Sequence, residues 1–143
     1  MMSQPYDPDN IFAKILRDEI PSVRVYEDDH TIAIMDIMPW CDGHCLVLPK
    51  APARNMLDVA PDSLAAVAET TRKLARAVVQ AFGADGVTIQ QNNEAAGNQV
   101  VFHLHVHVIP RHEGDRLNRS NTQMEDTARL QENAAKIKAA LKK

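Results

Sequence analysis

Three of the chain's six histidines occupy alternate positions of one short apolar run, His103-Leu104-His105-Val106-His107-Val108-Ile109. On a β-strand, alternate side chains share a face. The three imidazoles would then line one ridge, with Phe102, Leu104, Val106 and Val108 turned towards a core. Such a row has three uses. The rings can sit on a surface with their nitrogens satisfied, or chelate zinc with one further ligand. They can also act as nucleophile and acid–base groups, each held in one tautomer by a hydrogen bond to its other nitrogen. Histidine is the commonest metal ligand, so the row alone leaves metal binding and catalysis level.

The preceding loop separates them. Asn92, Asn93, Gly97, Asn98 and Gln99 supply neutral amide donors and a pliable backbone directly before the histidines. A metal site calls for further carboxylates, imidazoles or thiolates. Neutral donors suit phosphate oxygens, where they stabilise charge developing at phosphorus. The spacing therefore favours phosphoryl chemistry.

Elements must be found to hold these groups. Asn10 is a good N-cap, and Ile11, Phe12, Ile15 and Leu16 recur at helical spacing up to Pro21. Val23–Val25 and Thr31–Met35 read as a hairpin around Asp28-Asp29, with a third strand at Cys45–Leu48 after the Asp42-Gly43 turn. The clearest element is a helix from Asp62 to Phe82, with Pro61 able to open it and Gly83 to stop it. Its apolar stripe is Leu64, Val67, Ala68, Thr71, Leu74, Ala75, Val78, Val79 and Phe82. Strands at Gly86–Gln91 and Val100–Ile109 flank the loop Asn92–Gln99. A last helix is expected at about 122–142, with Thr122 and Glu125 as a capping box and Leu130, Ala134, Ile137 and Leu141 as its stripe. Short links favour antiparallel pairing, so the fold class is α+β, an antiparallel sheet with a long helix on one face.

Composition bounds the rest. The 143 residues suit one domain, 1–143; hydrophobic residues make up 45% and charged residues 24%, ordinary for a globular protein. The net charge of −3 argues against nucleic acid as partner, and no apolar run approaches a membrane span. Cys41 and Cys45, without a signal peptide, fit reduced thiols and a cytoplasmic location.

On these residues the sequence resembles the histidine triad family. Its signature is the row His103 to His107, led in by Ala96-Gly97-Asn98-Gln99-Val100-Val101-Phe102. Further matches follow in order: Ile11-Phe12-Ala13-Lys14-Ile15, Glu19-Ile20-Pro21-Ser22, Tyr26-Glu27-Asp28-Asp29, Asp36-Ile37, Gly43-His44-Cys45-Leu46-Val47-Leu48-Pro49-Lys50, Asn92-Asn93 and Ile109-Pro110-Arg111. The match covers about residues 10–115.

The resemblance implies a nucleotide hydrolase or transferase acting at the α-phosphate of purine nucleotide conjugates with AMP or GMP, most simply a nucleoside phosphoramidase. A dinucleoside polyphosphate hydrolase and a non-catalytic nucleotide-binding regulator are the alternatives, with a zinc-binding protein third, His44 and Cys45 serving as extra ligands. It makes His105 the nucleophile, His107 the phosphate and leaving-group contact, and His103 their support. Asn92, Gln99, Gly97 and Asn98 fall to the phosphate, Asp36 to the ribose hydroxyls, and Ile11, Phe12, Ile15, Ile34 and Ile37 to the base. It also implies a homodimer. No cofactor is expected, and no metal, because Asn10 and Ala13 stand where zinc-holding relatives carry cysteines. Asn98 replaces the usual glycine of the lead-in. Trp40-Cys41-Asp42 departs from the family pattern, and the C-terminal helix lies beyond the match.

Overall fold

The computed structural model describes residues 4–143. Its elements are α1 (Ile11–Leu16), β1 (Arg24–Glu27), β2 (Thr31–Met35), β3 (Cys45–Pro49), α2 (Pro61–Phe82), β4 (Gly86–Gln90), β5 (Val106–Arg111) and α3 (Thr127–Leu141). The five strands form one antiparallel sheet in the order β1-β2-β3-β5-β4. The α+β class, the hairpin and the long helix stand as the sequence predicts.

Strand parity divides the core in two. Ala33, Met35, Cys45, Val47, Val106 and Val108 face α2 and α3. Ile32, Ile34, Leu46 and Leu48 face the other way, against Phe12 and Ile15 of α1. All of β2 and β3 is therefore buried on both faces. The long helix covers one face as expected; on the other, α1 shelters part of the sheet and a cleft opens beside it.

Three boundaries and one helix face depart most from the sequence reading. Helix α1 ends at Leu16, well before Pro21, because Asp18 turns left-handed at φ 61°. The buried side of α2 runs Val67, Thr70, Leu74, Ala77 and Val78, leaving Ala68 exposed. Helix α3 starts at Thr127 with Asp126 as its cap, accepting from Ala128 N–H at 3.3 Å, so Thr122 and Glu125 form no capping box. Strand β5 starts at Val106 instead of Val100. The chain before it is drawn beyond the end of β3, where Leu104 N–H donates to Ala53 C=O at 2.8 Å.

The two features that the family pattern left unexplained interlock. Arg129 and Asn133 of α3 both bind the Asp42 carboxylate, at 3.1 and 3.2 Å to Oδ1. The strap that leads into α3 lies along the segment after β2. Asn118 N–H donates to Trp40 C=O at 3.3 Å, Asn121 Nδ2 to Pro39 C=O at 2.8 Å, and Glu125 N–H to Ile37 C=O at 2.8 Å. Gly43 beside this clasp has φ +92°, and a Cβ there would stand 2.6 Å from the Phe82 ring. A glycine is required on both counts.

Candidate active site

The cleft on the open half of the second sheet face has a volume of about 420 Å³. Ile11, Phe12, Ile15, Ile34 and Ile37 line it, together with Asp36, Asn92, Asn98, His105 and His107, so ten of the sequence-predicted site residues converge. His103, Gly97 and Gln99 are not on its wall.

Four histidines form two linked pairs, with His44 and His103 buried and His105 and His107 half-buried, and their partners fix every tautomer. A carbonyl can only accept and a backbone N–H can only donate. His103 Nε2 lies 2.9 Å from Pro49 C=O and must donate to it. Its Nδ1 therefore accepts from the Tyr6 hydroxyl at 2.7 Å. His105 Nδ1 lies 2.7 Å from the carbonyl of His103, so Nδ1 carries the proton and Nε2 keeps its lone pair for the cleft. Trp40 N–H donates to His44 Nδ1 at 3.0 Å, which places the His44 proton on Nε2. That Nε2–H donates to His107 Nδ1 at 2.8 Å, and His107 in turn holds its own proton on Nε2.

Burial keeps all four rings neutral. Desolvation lowers His44 to about 3 and both His103 and His107 to about 4, and it lowers His105 as well. The Asp36 carboxyl is pushed the other way by the same cause, up to about 6, because a buried charge is disfavoured whatever its sign. Asp36 lies 3.5 Å from His44 Nε2, but a neutral ring makes this contact no ion pair.

Asp36, His44 and His107 together could hold a metal ion, their ligand atoms all lying within 4.8 Å of one another. Two nitrogens on a tetrahedral zinc stand about 3.3 Å apart, from bonds of 2.0–2.1 Å. The 2.8 Å contact between His44 and His107 is a hydrogen bond that a metal would have to break. Asn10, at a family cysteine position, is occupied as the cap of α1, accepting from Ala13 N–H at 2.9 Å.

The amide loop is built differently from expectation. Gln99 has no donor left for a phosphate. Its Nε2 donates to Arg54 C=O and Val101 C=O, at 2.7 and 3.0 Å, and its N–H donates to Glu94 C=O. Its Oε1 accepts from Asn55 Nδ2 and Glu94 N–H, at 3.0 and 2.8 Å. The Gly97 and Asn98 N–H groups are also spent inside the loop. Gln99 is a brace, joined to the forked pair of Arg54 with Glu94 at 2.8 and 2.9 Å. Phe102, expected in the core, lies half-buried with the Arg54 guanidinium 4.1 Å from its ring centroid.

Asn98 has φ 70°, the left-handed conformation that glycine adopts freely and asparagine tolerates best among other residues. The departure from the family's glycine is thus accommodated, and it adds an amide to the cleft wall.

Sequence reasoning offered His44 only as a candidate zinc ligand beside a triad histidine, and gave Trp40 no role. His44 was legible as part of Gly43-His44, but its role depends on a partner 63 residues away. Trp40 stacks flat on His107, with ring centroids 5.1 Å apart and planes 10° from parallel.

Comparison with known proteins agrees with this geometry. A family model described as HIT domain matches residues 17–114. The adenylylsulfatase HINT3 of Arabidopsis thaliana is 34% identical over 135 residues, covering 94% of this chain and 68% of that protein. A crystal structure of a Hit-like protein from Bartonella henselae, described as involved in cell-cycle regulation and as carrying an unknown ligand, is 55% identical with TM-score 0.93. It covers 96% of this chain and 99% of that one. A zinc-bound histidine triad family protein from Mycobacterium smegmatis is 36% identical with TM-score 0.83, over 94% of both chains. With its triad in place, its cleft formed beside it and two thirds of its length matched by the family model, this chain belongs to the histidine triad family.

Proposed function

We propose that the protein is a hydrolase that cleaves the bond between the α-phosphate of a purine nucleotide and its leaving group, with a nucleoside phosphoramidase as the specific reading. The observation that carries it is the lone pair on His105 Nε2, aimed into the cleft by the 2.7 Å bond from Nδ1–H to the His103 carbonyl. The base lies among Ile11, Phe12, Ile15, Ile34 and Ile37, with the ribose hydroxyls on Asp36. That leaves the α-phosphorus over His105.

Attack by Nε2 forms a P–N bond as the bond to the leaving group breaks, and water then releases the nucleotide. Dividing one displacement into two lowers each barrier. Asn92 and Asn98 hydrogen-bond the phosphoryl oxygens, in a loop that Gln99 braces from behind, while His103 holds His105 through its carbonyl. His107 offers Nε2–H to the departing atom. The named activity of the Arabidopsis relative also concerns an adenylyl conjugate, which supports the α-phosphate as the common centre.

The test is a kcat/KM panel of adenosine and guanosine phosphoramidates against dinucleoside polyphosphates. Phosphoramidates should lead it. Leadership by a dinucleoside polyphosphate would replace the specific reading, and turnover of none would leave a nucleotide-binding regulator.

We also read the protein as a cytoplasmic homodimer of one domain each. On the outer side of α2, Leu64, Thr71, Ala75 and Val79 are half-buried and Ala68 is exposed; beside them, β4 forms one edge of the sheet. An open edge next to an apolar helix face has a physical reason to pair. Sedimentation should give twice the chain mass, with more than about 1,200 Å² buried in total. A monodisperse single chain at micromolar concentration would refute it.

A further inference from the structure

A single row of residues crosses the cleft face of the sheet. Ile34 pairs with Leu46, Leu46 with His107, and His107 with Gln90, on β2, β3, β5 and β4 in turn. Ile34 belongs to the apolar pocket two strands from His107, about 10 Å at ordinary strand spacing. On the other side, one strand away, Gln90 Oε1 accepts from Arg119 Nη1 at 3.3 Å. The reacting histidines therefore lie between an apolar end and an end that carries a guanidinium.

Arg119 is held there twice. Its guanidinium carbon stands 5.5 Å from the Trp40 ring centroid, and Trp40 itself lies flat on His107. The strap fixes both residues in turn, through Asn118 N–H on the Trp40 carbonyl and Asn121 on that of Pro39. Among the described residues lining the cleft, Arg119 is the one arginine or lysine, and Asp36 is the one carboxylate. No carboxylate pairs with Arg119 among the described residues, so most of its five donors remain free.

We propose that Trp40 and Arg119 form a leaving-group subsite that selects nucleotide conjugates bearing an anionic group, carboxylate, phosphate or sulfate, just beyond the scissile bond. The inference rests on the hydrolase reading above and adds to it the chemistry of the departing half. The nucleoside takes the apolar side of His107. The departing half then extends across Trp40 towards β4, where a guanidinium fork matches a planar or tetrahedral oxyanion. The bond electrons leave with the departing group, whose negative charge Arg119 faces.

The experiment compares two substrates alike in size and scissile bond, the adenosine 5′-phosphoramidates of glycine and of glycinamide. Wild-type enzyme should favour the carboxylate by on the order of tenfold in kcat/KM, the weight of one charge-assisted contact. Arg119→Gln should bring that ratio close to one, and Arg119→Lys should keep part of it. Added salt should shrink the wild-type ratio while leaving that of Arg119→Gln unmoved. A wild-type ratio near one overturns the subsite, as does a ratio that survives Arg119→Gln. An equal fall for both substrates would make Arg119 a ligand of the shared α-phosphate and overturn it too. If wild type turns over neither conjugate and nothing labels His105, the hydrolase reading fails and takes this inference with it. Turnover of both at equal rates removes the subsite alone.

Discussion

His105→Ala is expected to lower kcat by on the order of 10³-fold or more while nucleotide affinity stays close to wild type. In the proposed mechanism the removed Nε2 lone pair bonds to phosphorus only as the reaction proceeds, so its loss falls on the transition state. In the proposed binding mode the apolar pocket and Asp36 contact the nucleoside, and the substitution leaves both untouched. Rapid quench of wild type with a conjugate labelled in its α-phosphate should trap label on the protein, stable to alkali and released by acid, and the variant should trap none. Near-normal kcat in the variant would remove His105 as nucleophile. The pH profile carries the same assignment. Burial lowers His105, so its lone pair is available at neutral pH, and kcat/KM should fall only below pH about 6.5 as Nε2 takes a proton.

The second large effect is on stability in acid. His44 at about 3, with His103 and His107 at about 4, stay unprotonated in the fold at a pH where an unfolded chain, with histidines near 6.5, has bound three protons. Asp36, raised from 3.8 to about 6, works in the opposite sense and binds one proton in the fold first. Near pH 5 the unfolded state thus holds about two more protons than the native state. Lowered histidine values contribute stability that is present above the unfolded value and is lost as pH falls towards the folded one. The slope is about 2.7 kcal/mol per pH unit for two protons. Against a typical total of 5–15 kcal/mol, two units of acidification consume a large share. Urea midpoints should therefore be flat above pH about 7 and should fall steeply from pH 6 to 4. A flat midpoint across that interval would show that the histidines are not buried neutral in solution.

What the sequence revealed, and what it hid, divides by range. Helix α2 was legible because its signals are local: Pro61 at the start, Gly83 in the left-handed conformation at the end, and a stripe between them. The hairpin was legible for the same reason, with Asp28 accepting from the N–H groups of His30 and Thr31 inside its own turn. The triad stood out by alternation alone. Its backbone did not follow the expected strand, because Pro49 and Ala53 pull His103 and Leu104 across to a segment some fifty residues earlier. Gln99 reads like any exposed amide until Arg54, Asn55 and Glu94 close round it. No local pattern encodes such partners.

The strap across the cleft has a consequence for how this enzyme can diversify. Its three ties to the segment after β2 all end on main-chain carbonyls, and two of them start from main-chain N–H groups. Those ties do not depend on which side chains residues 119, 120 and 122–124 carry. The wall on the departing side can therefore change its composition while the histidines, the amide loop and the nucleoside pocket keep their partners. If the proposed leaving-group subsite holds, the stretch is an exchangeable cassette, and libraries randomised there would vary which group departs without rebuilding the histidine side of the cleft.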